Sequence, residues 1–136
     1  PLVPDPQGQG AGRFGSLPSP IPLGQMADRV KRFLAIQRVQ FVGDAEQQVQ
    51  RIAVACGAAG EVLAAAHEAG CDAMLVGETN FHTCLEAEAL EIGLVLPGHF
   101  ASERFAAAVL ADALSAEFPG IHAWPSRRER DPLAWR

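Results

Sequence analysis

Along the chain the spacing of apolar positions changes twice. Leu23, Met26, Ala27, Val30, Phe33 and Leu34 recur at helical intervals. They predict an amphipathic helix over 23–35 with Asp28, Arg29, Lys31 and Arg32 facing water. Residues 38–42 alternate, which predicts a short strand at a sheet edge, and Gly43-Asp44 then turns the chain. From residue 51 the alternation gives way to unbroken apolar runs at 52–56, 73–76 and 94–96. Strands buried on both faces have this composition, and such strands are mostly parallel. Helix-forming segments separate the runs, at about 59–69 and 81–91. A longer helix at about 101–118 follows, with Phe105, Val109, Leu110, Ala113, Leu114 and Phe118 on its stripe. Residues 121–124 predict a last strand before Pro125. This order implies right-handed βαβ units. The expected class is α/β, a three-layer sandwich whose mostly parallel or mixed sheet is flanked by helices.

The ends differ from this middle. Residues 1–22 hold six of the ten prolines, together with Gly8, Gly10, Gly12 and Gly15. Proline removes donors and glycine favours turns, so the segment reads as an arm or linker, with a short strand around Gly12-Arg13-Phe14 as the exception. The division expected is therefore an arm over 1–22, a metal-binding α/β lobe over 23–125 and a charged, solvated tail over 126–136.

Composition narrows the function. A chain of 136 residues that is 49% hydrophobic can bury one core. Its net charge of −5 offers no general attraction to nucleic acid or to an anionic membrane. No Ser-His-Asp order, paired-carboxylate sugar site or basic-aromatic interleaving is present. Cys56, Cys71 and Cys84 are odd in number and form no C-x-x-C, which fits a reducing compartment and a cytoplasmic location. No apolar run is long enough to span a bilayer, and no secretory leader opens the chain, whose first residue is Pro1.

Open α/β sheets hold ligands beyond the carboxyl ends of their strands. The ends expected here are Cys56-Gly57, Gly77-Glu78 and Gly98-His99. Two of them carry an imidazole and a carboxylate four residues apart, in opposite order: Glu78 with His82, and His99 with Glu103. One group just past a strand and another a helical turn later can point into one crevice. His99 and Glu103 are the candidate metal ligands, and imidazole with carboxylate suits zinc, manganese, iron or nickel. Structural alternatives exist, since Glu103 can complement a helix N-terminus and His99 can be a plain loop residue. Glu78 and His82 are candidates for catalysis, as general base or as groups that orient a ligand. The turn from Cys56 to Gly60 is neither G-x-G-x-x-G nor a P-loop, so tight helix–sheet packing is its simpler reading, with Cys56 a small core residue. His67 and His122 receive no role.

These residues also resemble a known family. Gly77-Glu78-x-x-Phe81-His82 and then Gly98-His99-Phe100-x-x-Glu103 are similar to the C-terminal half of the Nif-three-like family, whose members are often labelled GTP cyclohydrolase 1 type 2 homologues. Gly10-Ala-Gly12-Arg13-Phe14-Gly15 resembles that family's G-x-G-R-x-G segment, and the stretch from Val42-Gly43-Asp44 to Cys56-Gly57 keeps its order. The resemblance covers about residues 10–125. It implies the α/β lobe of a Nif-three-like protein, in which His99 and Glu103 are the two C-terminal ligands of a dinuclear metal centre. It also implies homo-oligomers, often ring- or cage-like hexamers. The family's remaining ligands, a His-His pair and an aspartate, lie in an N-terminal half that this sequence does not contain. Glu78 stands where many members carry aspartate.

Two functions follow as expectations. One is a metal-dependent hydrolase of cyclohydrolase or phosphoesterase type acting on a small molecule, with a centre that this chain alone does not complete. The other is a non-catalytic metal-binding scaffold or regulatory module. A nucleotide-binding domain using Gly57 to Gly60 is a third.

Overall fold

The computed structural model describes residues 1–134. Three strands form the centre of its main sheet: β5 (Gln48–Ala55), β6 (Ala73–Val76) and β7 (Gly93–Leu96), parallel and adjacent in that order. The apolar runs of the sequence are these strands. β4 (Gln40–Val42) closes one edge antiparallel to β7, and β3 (Arg13–Pro22) closes the other antiparallel to β5. A two-stranded ribbon of β1 (Val3–Pro4) and β2 (Gly10–Ala11) precedes them.

Side chains alternate across β6 and β7 and feed two cores. Met74, Val76, Leu94 and Leu96 join one, and Ala73 and Val95 join the other. On the first face lie α2 (Leu63–Glu68), entered through a 3-10 turn at Gly60–Val62, and α3 (Phe81–Ala89). On the second lies α1 (Leu23–Leu34), whose Leu23, Met26, Ala27 and Val30 are buried against Ile21 and Val49. The result is the expected α/β sandwich with a mixed sheet. Among the described residues no helix is long and apolar enough to cross a membrane.

Helix ends are satisfied locally. The first amides of α1 find no side-chain cap, and Leu23 and Gly24 donate instead to the carbonyls of Gln47 and Ala45. At α3, the Asn80 side chain accepts from the Thr83 amide at 3.0 Å.

Several details differ from the sequence reading. Residues 13–22 are not a linker but an edge strand. Pro18 and Pro20 fall where the pairing with β5 breaks register between Ser16 and Ile21, a place where an edge strand tolerates missing donors. The helix expected over 59–69 is shortened by the 3-10 turn. Residues 121–124 are not a strand; the segment folds back along the last helix, where Ser115 Oγ donates to the Ala123 carbonyl.

That helix, α4 (His99–Glu117), begins two residues earlier than expected and buries only Ala111 fully. Val109 and Leu110 are each 60% exposed, and Phe118 is also exposed. The apolar residues expected on one stripe instead spread around α4, unlike those of α1, and most stay exposed. The main neighbour of α4 is α1, through an edge-to-face contact of Phe33 and Phe105 with ring centroids 5.7 Å apart.

Candidate metal centre

The carboxyl ends of β5, β6 and β7 stand side by side, and three loops leave them together. The Glu78 amide donates to the Gly57 carbonyl and the Gly98 amide to the Gly77 carbonyl, which ties the loops into one platform. Glycine is required where they meet. A β-carbon on Gly77 would lie 2.8 Å from the Gly57 carbonyl oxygen. One on Gly57, whose φ is +67°, would lie 2.8 Å from Glu103 Oε1 and 3.4 Å from His99 Cε1. The turn from Cys56 to Gly60 is therefore shaped by the site as well as by packing. Cys56 itself is exposed, not in the core, because β5 ends at Ala55 and the thiol falls in the turn.

His99 is the first residue of α4, and Glu103 follows one turn later on the same face. The His99 ring lies between two carboxylates. Its Nδ1 donates to Glu78 Oε1 at 2.8 Å, and its Nε2 lies 3.4 Å from Glu103 Oε1. The Glu78 hydrogen bond, joined by the negative charge of Glu103, holds the imidazole pKa above its usual range. All three side chains are about half exposed and open to solutes.

The donor set fits a divalent cation in part. With Nδ1–H committed to Glu78, the Nε2 lone pair is left beside a carboxylate, the arrangement in which an acid fixes the tautomer of a metal-binding histidine. Two donors do not complete a coordination sphere. Among the described residues no group of three or more His, Cys, Asp or Glu side chains is placed to hold one ion. A cation at this position would need further ligands from water, substrate or another polypeptide segment.

Of the four residues singled out from sequence, the structure brings together Glu78, His99 and Glu103. His82 stands apart: it is exposed on the first turn of α3, with its ring against Phe81. The pairing of Glu78 with His82 is thus replaced by Glu78 with His99. Sequence spacing hides this contact, yet a signal was present, since each residue directly follows the glycine at the end of one of two neighbouring parallel strands. Also unforeseen is a cavity of about 530 Å³ beside the site, lined by Glu78, His99 and Glu103 and by Arg104, Glu129 and Asp131.

Comparison with known proteins places this geometry. The family model described as Duf34/NIF3 (NGG1p interacting factor 3) matches residues 3–132. The chain belongs to the Duf34/NIF3 family. Among relatives of this family, the GTP cyclohydrolase 1 type 2 homolog of Bacillus subtilis is 28% identical over 138 aligned residues, covering 99% of this chain and 37% of that protein. NIF3-like protein 1 of Homo sapiens is 32% identical, covering 91% of this chain and 33% of that protein. The fold agrees with the Bacillus cereus protein related to NIF3, at a TM-score of 0.79 and 26% identity, over 93% of this chain and 36% of the other. The chain thus spans about a third of the length of these Duf34/NIF3 relatives.

Proposed function

We propose that the platform formed by Glu78, His99 and Glu103 is the half-site of a divalent-metal centre, and that it serves metal-dependent hydrolysis. His99 Nε2 and Glu103 would hold the ion, and Glu78 would fix the His99 ring through Nδ1. The observation that carries this reading is the His99 ring set between two carboxylates, with one nitrogen committed to Glu78. Such an ion supplies Lewis-acid polarisation of a carbonyl or phosphoryl oxygen. The chain's own contribution is to fix the tautomer, keep the Nε2 lone pair beside Glu103 and shape the approach with Gly57.

The names of the Bacillus subtilis relative and others like it make GTP the first substrate to test. A second reading, a metal-binding scaffold without turnover, is favoured by the two-donor count. Metal content by mass spectrometry, followed by hydrolysis assays on GTP and p-nitrophenyl phosphate, separates the two. Metal-dependent turnover that vanishes in His99→Ala supports the enzyme, and metal binding without turnover supports the scaffold. Absence of metal from both wild type and variant rejects both. The exposed apolar side chains of α4 support association between copies of the chain, since apolar surface of this kind is usually covered.

A further inference from the structure

The charged C-terminal segment is not a free tail. After α4 the chain reverses and runs back along the helix toward its N-terminus. Ser115 Oγ donates to the Ala123 carbonyl at 3.5 Å. Nearer the helix start, Arg104 donates to the Ser126 carbonyl and its Nε pairs with Glu129 Oε2 at 2.8 Å. Arg104 directly follows Glu103, so the residue that grips the segment adjoins a proposed ligand. Beyond this grip, Asp131, Pro132 and Leu133 form a wall of the cavity that Glu78, His99 and Glu103 also line.

We propose that Arg104 is a positioning residue that latches the segment 126–133 across the candidate metal centre as a strap controlling access to it. This rests on the metal-site reading above. The geometry favours a strap over a fixed wall for two reasons. The segment has no helix or strand of its own and joins no sheet, so its placement depends on side-chain contacts that can open. Glu129 is about half exposed and Arg104 about a quarter, so the ion pair is partly solvated and weak enough to break and re-form. The strap also adds to the negative charge of the cavity. Arg104 and Glu129 cancel each other, while Asp131 adds a carboxylate to those of Glu78 and Glu103. A closed strap therefore retains a cation and repels a free anion.

The test compares wild type with Arg104→Gln, Glu129→Gln and the exchanged pair Arg104→Glu with Glu129→Arg. The first measurement, on protein without added metal, is limited chymotrypsin cleavage after Leu133, a site that none of the substitutions touches. The strap predicts cleavage several-fold faster in both single variants, with the exchanged pair closer to wild type. The second is the rate at which EDTA strips Zn²⁺ from loaded protein, expected to rise several-fold in the single variants and to fall back in the exchanged pair. Equal cleavage in all four proteins overturns the latch. Faster cleavage with unchanged Zn²⁺ release overturns control of access. If wild type takes up no Zn²⁺, the metal-site reading fails and the access role fails with it, while the cleavage arm still decides whether Arg104 holds the segment.

Discussion

The His99 imidazole has two neighbours with different effects, and they can be separated. Glu78 makes the short hydrogen bond and is the larger cause of the raised imidazole pKa; Glu103 adds its charge at longer range. In metal-free protein, Glu78→Gln should lower the His99 pKa more than Glu103→Gln does, as read from the ring-proton shifts in an NMR titration. The sign for metal binding follows. Protonated Nε2 cannot ligate, so affinity should rise with pH until it passes the raised His99 pKa, then level off. In Glu78→Gln that plateau should begin at lower pH. Gly57 makes a separate case. Gly57→Ala places a β-carbon against Glu103 and forces a side chain into the left-handed region. A loss of about 1–2 kcal/mol in chemical denaturation is expected, with weaker metal binding. These side chains were partly legible beforehand. His99 and Glu103 are separated by one helical turn, so local spacing reveals them. Glu78 reaches His99 only through the pairing of β6 with β7, and local spacing paired it with His82 instead.

Among the elements, β6 and β7 were readable because burial on both faces leaves an unbroken apolar run; β5 carries such a run although Val54 is exposed. β3 was not, since its proline content matches that of a linker, and only an edge position with a break in register accommodates Pro18 and Pro20. On α1 the apolar residues concentrate on one face, which is the buried one, whereas on α4 they spread around the helix and periodicity gave no buried face. Leu23 on α1 is fully buried, while Val109 and Leu110 on α4 are exposed. Leu23→Ala should cost about 2–5 kcal/mol in urea denaturation. Val109→Ser and Leu110→Ser should each change stability by no more than about 0.5 kcal/mol at low protein concentration. A large loss in either α4 variant would mean that these side chains are covered in solution.

Taken whole, the molecule has one well-packed sandwich, one helix with uncovered apolar side chains, and at the sheet's carboxyl end the cluster proposed as a metal half-site. The uncovered side chains predict association, measurable as concentration-dependent sedimentation that Leu110→Glu weakens. The half-site predicts modest metal affinity, because this chain offers two donors and leaves other positions to other groups. Zn²⁺ titration by calorimetry, on wild type beside His99→Ala and Glu103→Gln, is the most direct test of the metal centre. The account predicts one ion per wild-type chain and an affinity at least tenfold lower in both variants. Equal Zn²⁺ binding by wild type and His99→Ala would contradict it.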